Sequence, residues 1–90
     1  MEEAGIATVG SSTVKVKKAT ITFVSPFTAV PVVVATTLQD PAYPAGGIDD
    51  TFAVSITGVS TTKFTANIVR VDASPGWAQN LRLGYAATTP

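Results

Sequence analysis

The stretch PFTAVPVVVATT at residues 26–37 carries no charged residue and contains three consecutive valines. Valine is stiff at its first side-chain torsion and packs well on a pleated surface, so the run predicts a β-strand. Successive side chains of a strand point to opposite faces, and consecutive valines therefore place apolar groups on both. The chain must adopt a fold in which both faces of this strand are covered, either within one subunit or by a second one.

The rest of the chain has the same β-rich character. Fourteen threonines and twelve valines, out of 90 residues, suit a pleated surface. Six prolines and seven glycines interrupt the chain at short intervals, and no window shows the three-to-four-residue apolar spacing of an amphipathic helix. This pattern predicts an all-β fold with antiparallel strands, arranged as a sandwich or a barrel.

Three segments alternate apolar and polar residues as half-buried strands do. TFAVSITG ends at Gly58, and the polar loop from Ser60 to Thr62 leads to KFTANIVRV, which predicts a hairpin with a five-residue connection. NLRLGYAA predicts a third antiparallel strand. In TVKVKKATITFV the apolar positions change parity at Lys17 and Lys18, which predicts a bulge or a corner there.

Size and composition favour association between copies of the chain. A domain this small buries only about 60–70% of the surface that its unfolded chain exposes. The chain has no cysteine for disulfides, and its 13% charged residues compare with about 25% in an average soluble domain. We expect the valine-rich strand to supply an oligomer interface, formed by Val32, Val33, Val34 and Thr36.

The same composition argues against several classes of function. The formal net charge is zero, so nucleic acid is not an expected partner, and no apolar run is long enough for membrane insertion. There is no histidine or cysteine for nucleophilic catalysis or for a zinc site, and no pair of carboxylates has the spacing of an acid and a base. We expect no catalytic residues, no metal site and no cofactor, and the prediction is that the chain is not an enzyme.

The order of three segments resembles the H-type lectin domain, which occurs in snail agglutinins, in discoidins and in phage and bacterial proteins. The segments are ITFVSPFTAVPVVVATT, FAVSITGVSTTKFTANIVRVD and LRLGYAA. In that family a strand ending in phenylalanine leads through a Pro-Phe turn to a Pro-Val-Val strand, a phenylalanine-containing hairpin and a closing strand. The resemblance covers residues 19–87.

The resemblance implies a six-stranded antiparallel β-sandwich that assembles as a parallel homotrimer, with sugar bound at the rim between subunits. Family lectins use an arginine and an aspartate together with a tryptophan-histidine pair. Here Val71 and Asp72 stand where that pair is expected. The candidate carbohydrate-binding residues that the resemblance implies are Arg70, Asp72, Trp77 and Asn80.

Each candidate residue also has a structural interpretation. Trp77 can stack on a sugar ring, or it can cap the sandwich edge or pack against a neighbouring subunit. Arg70 and Asp72 can present charges to sugar hydroxyls, or they can form a salt bridge with each other. The aspartates that flank the proline- and glycine-rich connection at residues 39–50 are typical of loop solvation, and they do not have the spacing of a calcium loop.

These observations lead to two hypotheses about function. In the first, residues 1–12 form an arm that docks on an adjacent subunit and residues 13–90 form a single β-sandwich domain. The homotrimer is then a structural protein of a phage virion, either a capsid decoration protein or a tail or fibre component, at the virion surface and bound to other virion proteins. In the second, the chain is a carbohydrate-binding lectin or receptor-binding tip that recognises galactose-type sugars, in an extracellular setting.

Overall fold

A computed structural model describes residues 1–42, 50–72 and 75–89 of the chain. Within these ranges every regular element is a β-strand, and the six strands form two three-stranded antiparallel sheets. The prediction of an all-β antiparallel fold is confirmed. The strands are β1 (Glu2–Ser12), β2 (Val16–Thr22), β3 (Val32–Leu38), β4 (Phe52–Thr57), β5 (Lys63–Arg70) and β6 (Trp77–Thr88).

Sheet A has the strand order β1-β6-β3 and sheet B the order β2-β5-β4. Burial alternates along the two central strands, so each sheet turns one row of side chains toward the other sheet, as in a sandwich. The residues with no exposed surface come from these two strands. They include Phe64, Ala66 and Ile68 from β5 and Leu81, Leu83 and Ala87 from β6.

The predicted hairpin is formed by β4 and β5, which pair in antiparallel register from Phe52 opposite Arg70 to Thr57 opposite Thr65. The connection between them has the expected five residues, 58–62. It also receives the turn that follows β2, because the main-chain N–H groups of Phe23 and Phe27 donate 2.8 Å hydrogen bonds to carbonyls at 62 and 61. The Pro-Phe turn is therefore fixed to the hairpin of sheet B.

The valine run forms β3, an edge strand of sheet A. Val32 and Val34 point outward and are each 63% exposed, and Thr36 is exposed on the same side. Val33 points inward and packs against the core. The two-residue period of the strand assigns Val33 to the opposite face from its neighbours, so the core of the same chain covers its side chain, and its place in an oligomer interface stays a prediction.

Residues 1–12, for which the sequence predicted an arm, contain an edge strand of the sandwich. Glu2–Ser12 forms β1 and pairs with β6 from Glu2 opposite Thr88 to Ser12 opposite Trp77, with irregularities between Thr8 and Ser12. The strand belongs to the fold because one of its inward residues, Val9, is part of the core and another, Glu3, accepts a hydrogen bond from the Tyr85 hydroxyl. Docking of this segment on an adjacent subunit stays a prediction.

The predicted bulge at Lys17 and Lys18 is absent, since β2 pairs with β5 in continuous register from Val16 to Thr22. Lys17 is the inward residue, and its ammonium group reaches the end of the sandwich and donates a 2.7 Å hydrogen bond to the Ser11 carbonyl. A long apolar stem with a charged tip allows lysine to occupy such a position. Without a bulge, Val16 lies on the opposite face of β2 from Ile21, and it is 45% exposed.

The two ends of the sandwich differ in what they carry. The terminal end holds the first and last described residues, which are adjacent because Thr89 N–H donates to the Met1 carbonyl at 3.1 Å. At the far end β1, β3 and β5 end and β2, β4 and β6 begin, so the described residues next to these strand ends, 13–15, 39–42, 50–51, 71–72 and 75–76, lie there. All four candidate carbohydrate-binding residues lie at or near the far end.

Candidate functional site: a polar far end and an apolar sheet face

Arg70 and Asp72 form an ion pair at the far end. Arg70 Nε donates to Asp72 Oδ1 at 3.0 Å, and a terminal nitrogen of the same guanidinium lies 2.8 Å from Asp50 Oδ1. Asp72 Oδ1 also accepts the Thr51 main-chain N–H at 2.9 Å. The hydrogen bond from Arg70, followed by that from Thr51, holds the pKa of Asp72 below its usual value. These contacts join the end of β5 to the beginning of β4.

The second guanidinium nitrogen of Arg70 donates to the Gly76 carbonyl at 3.4 Å, so the group also reaches the connection that leads into β6. The hydrogen bond with Asp72 raises the pKa of Arg70. Both side chains remain partly exposed, with 22% of the Arg70 side chain and 28% of the Asp72 side chain accessible. The structure therefore contains the salt bridge of the structural interpretation, at a rim that solvent still reaches.

Gln79 is the buried polar residue beneath this ion pair, at 1% exposure. Its amide nitrogen donates to Gln39 Oε1 at 2.6 Å and to Asp50 Oδ2 at 2.8 Å, and its amide oxygen accepts the Asp40 main-chain N–H at 2.9 Å. Gln79 was not among the residues predicted from the sequence. The signal was present, because Gln79 occupies an inward position in the alternation that also buries Trp77 and Leu81.

The flanking aspartates hold the connection between β3 and β4 at both of its ends. Asp40 accepts hydrogen bonds from the main-chain N–H groups of Ala42, at 2.9 Å, and Asn80, at 3.2 Å. Asp50 accepts from Gln79 and pairs with Arg70. The middle of the connection, at residues 43–49, lies outside the described residues, and so does Asp49, one of the flanking aspartates.

Trp77 belongs to the core, with 5% of its surface exposed. Its indole N–H donates a 2.7 Å hydrogen bond to the Gly10 carbonyl, and its ring meets that of Phe52 edge to face at 5.0 Å between centroids. A sugar ring cannot stack on this indole while it is packed in the sandwich. Trp77 therefore fulfils the structural interpretation, and the proposed stacking role is not compatible with its burial.

Asn80 is exposed on the outer side of sheet A, since it alternates with the buried Gln79 and Leu81. Arg70 and Asp72 belong to the end of sheet B, and Trp77 points into the core. The structure thus places the four candidates at one end of the molecule without bringing them together into a single pocket.

A second candidate surface is the outer side of sheet A. The side chains that point outward from β1, β6 and β3 lie level with one another, because Ala4 pairs with Ala86 and Ala86 with Val34, and Ile6 pairs with Gly84 and Gly84 with Thr36. Ile6 is 63% exposed, like the two outward valines. We call this surface the apolar face, and it consists of Ala4, Ile6, Val32, Val34, Thr36, Gly84 and Ala86.

A shallow groove runs along the apolar face beside β6. It has a volume of about 320 Å³ and is lined by residues 34–36 of β3 and residues 84–86 of β6. Gly84 and Ala86 form its floor because their side chains are small, while Val34 forms one wall. An apolar surface with raised branched side chains and a low centre is suited to packing against another protein surface.

Within residues 1–42, 50–72 and 75–89, no group of three or more acidic, histidine or cysteine residues is placed to hold a metal ion. No helix that could cross a membrane occurs in the same part of the chain.

Comparisons with known proteins add a fold relationship. No protein-family model matches the sequence, and neither does any curated protein. Among solved structures, the crystal structure of the tailspike gp61 of Pseudomonas phage phi297 matches the whole of this chain with a TM-score of 0.74 at 18% sequence identity. The matched segment is 15% of the tailspike chain. This chain therefore has the fold of one segment of a phage tailspike.

Proposed function

We propose that this chain is a non-enzymatic interaction module of a phage particle, a trimeric component of a tail fibre, a tailspike or the capsid surface. The observation that carries the proposal is the apolar face, on a sandwich whose fold recurs in a phage tailspike. The resemblance to H-type lectins, which form parallel trimers, supports three as the number of copies. The proposed setting is the surface of a virion, with other virion proteins as partners.

Burial of the apolar face would contribute substantially to stability. Fully burying one valine or isoleucine side chain is worth about 1.5–3 kcal/mol. Ile6, Val32 and Val34 each keep 63% of their surface exposed in the single chain, so their burial in an interface adds several kcal/mol per subunit. Small domains are stable by only about 5–15 kcal/mol, and association therefore contributes a large share.

A charge on the apolar face tests this interface. Val34→Asp should dissociate the assembly, because it places a carboxylate among apolar groups with no partner. Ser55→Asp is the matched control, since Ser55 is exposed on the outer side of sheet B. Size-exclusion chromatography with light scattering should show a smaller particle for the first variant and an unchanged one for the second. Equal masses for both variants and the unmodified chain would contradict the proposed interface.

The location on a particle is tested separately. Antibodies against the purified chain, detected by immunogold electron microscopy, should label intact phage particles at a defined place, either the tail or the capsid shell. Labelling confined to particle-free material would contradict the proposed virion setting. Particles of an unrelated phage serve as the control.

Carbohydrate binding is the second candidate function. It is favoured by the partly exposed Arg70–Asp72 pair and the exposed Asn80 at the far end, opposite the chain ends. A glycan array probed with the unmodified chain should then show retention of galactose-type sugars, and Asn80→Ala should weaken it. Absence of retention on every glycan would reject this alternative and leave the structural role.

A further inference from the structure

Part of each free edge of sheet A lacks the features that usually prevent edge-to-edge pairing. An edge strand presents unpaired main-chain N–H and C=O groups, and proteins commonly guard it with charges, prolines or bulges. From Ala4 to Thr8 of β1, and throughout β3, there is no charged residue, no proline and no irregularity of register, whereas Glu2 and Glu3 precede this part of β1 and irregularities follow it. The edge strand β2 of sheet B, in contrast, carries Lys17 and Lys18, and Lys17 points inward.

We propose that β1 of one copy pairs with β3 of the next, so that three copies of sheet A join edge to edge into a closed nine-stranded ring. The apolar face of each copy then lines the inside of the ring, around the symmetry axis. This inference rests on the proposed trimer and assigns the strands that form it. The partner is a second copy of this chain.

The direction of the strands permits this pairing. Both β1 and β3 run antiparallel to β6, so they are parallel to each other and join as a parallel pair. The contact is heterologous, since two different edges meet, and heterologous contacts that close by rotation form rings. Copies related by rotation about an axis parallel to the strands lie at the same height along that axis. Since Ile6 and Thr36 are level within one sheet, Ile6 of one copy is level with Thr36 of the next.

The size of the outward side chains fits a narrow ring. The central strand β6 lies nearest the axis, and its outward residues level with Val34 and Thr36 are Ala86 and Gly84. The larger Ile6 and Val34 stand on the two outer strands, where they fill the corners between neighbouring sheets. This distribution gives the groove along β6, and large side chains at 84 and 86 would keep three sheets apart.

The area of the apolar face indicates that the edges must take part. Three strands about 4.8 Å apart and seven residues at about 3.4 Å each give a projected area of roughly 340 Å². A stable interface buries about 800 Å² on each partner. The face alone falls well short of that value, whereas a ring adds two paired edges per copy.

Arg82 is compatible with the ring. It lies on β6 level with Thr8, and its guanidinium donates a 3.1 Å hydrogen bond to the Gln39 carbonyl, so the charge is turned toward the β3 edge and away from the axis. Among the residues that the structure describes, its Nε is a buried nitrogen without a hydrogen-bond partner. The ring places main-chain carbonyls of the neighbouring β1 at this edge.

Disulfide trapping tests the pairing in a chain that has no cysteine of its own. In Ile6→Cys/Thr36→Cys the Cα atoms of the two cysteines of one chain are two strand spacings apart, about 9.6 Å, which exceeds the limit of roughly 7 Å between Cα atoms for a disulfide. The ring brings Cys at 6 close to Cys at 36 of the next copy. Mild oxidation should give a covalent three-chain product on a non-reducing gel. Ala4→Cys/Val34→Cys is the companion pair, and Ile6→Cys/Thr57→Cys, with Thr57 exposed on sheet B, is the control.

Light scattering of each reduced variant and circular dichroism accompany the gel. A trimer that yields the three-chain product from either test pair, and not from the control, supports the ring. If the chain is a trimer but neither test pair yields the three-chain product, the ring is overturned and the proposed function still stands. A covalent ladder longer than three chains, or equal crosslinking of the control, also overturns the ring. A folded monomer overturns the proposed trimer itself.

Discussion

The hydroxyl of Tyr85 donates a 2.7 Å hydrogen bond to Glu3 Oε2, and Glu3 Oε1 accepts the main-chain N–H of Val24 at 2.8 Å. One carboxylate thereby joins β1, β6 and the segment that follows β2, and it closes the terminal end of the sandwich. The ring of Tyr85 packs on Phe64 at 5.3 Å between centroids and lies directly over Gly5. The first strand is therefore attached through both its backbone and its side chains.

The free energy of unfolding should decrease at high pH because of the Tyr85 phenol. Burial, followed by the hydrogen bond to Glu3, raises the pKa of this phenol to about 12, compared with about 10 in the unfolded chain. The contribution is complete below pH 10 and is lost as the pH rises toward 12, because the unfolded chain releases this proton more readily. Urea unfolding between these pH values should show the decline. In Tyr85→Phe the decline should be smaller, and an identical pH profile for the two proteins would contradict the assignment.

Gln79→Leu should lower the free energy of unfolding by about 2 kcal/mol. The substitution removes the hydrogen bonds that Gln79 makes with Asp50 Oδ2 and with the Asp40 main-chain N–H. Gln39→Ala is a graded control, since Gln39 is exposed and should cost less than about 1 kcal/mol. Chemical unfolding at a fixed protein concentration measures both. A neutral Gln79→Leu would show that the polar network does not stabilise the far end.

Two glycines with positive φ should respond very differently to alanine. A Cβ at Gly76, whose φ is 90°, would lie 2.4 Å from the Ser12 carbonyl oxygen, so Gly76→Ala should cost more than about 3 kcal/mol or prevent folding. At Gly58, with φ of 60°, the nearest atom would be 3.8 Å away, and Gly58→Ala should cost only about 1 kcal/mol. Thermal unfolding compares them. Similar losses in both would contradict the close approach of Gly76 to Ser12.

Trp77→Phe should destabilise the chain by about 2 kcal/mol, since it removes the hydrogen bond to the Gly10 carbonyl and leaves space beside Phe52. Indole fluorescence of the unmodified chain should be that of a buried tryptophan and should not change when galactose is added. A fluorescence change on addition of galactose, with stability unaffected by the substitution, would restore the stacking role.

The strands that could be predicted from the sequence are those with strict two-residue alternation. TFAVSITG and KFTANIVRV formed the expected hairpin, and the closing strand was found, although it begins earlier than predicted, at Trp77, and belongs to the other sheet. Periodicity identifies the buried side of a strand, but it does not specify which sheet the strand joins. That choice depends on packing between residues distant in sequence.

The first strand was missed for a related reason. Its inward positions include Glu3 and Gly5, which are not the apolar residues expected on the buried side of a strand. In the structure the Tyr85 hydroxyl binds Glu3 and the Tyr85 ring covers Gly5. The valine run predicted apolar side chains on both faces of its strand, but the sequence does not specify which face the core covers, so Val33 was assigned to the interface together with Val32 and Val34. In the candidate site, the Arg70–Asp72 pair was predictable from its spacing, whereas the burial of Trp77 depends on its distant partners Gly10 and Phe52.

The mass of the native particle shows whether this sandwich covers its exposed valines with further copies of itself. Native mass spectrometry of the unmodified chain at low micromolar concentration should give a particle three times the 9.2 kDa of one chain. A well-folded 9.2 kDa species that persists as the concentration rises would contradict the account, because Val32 and Val34 would then remain in contact with water.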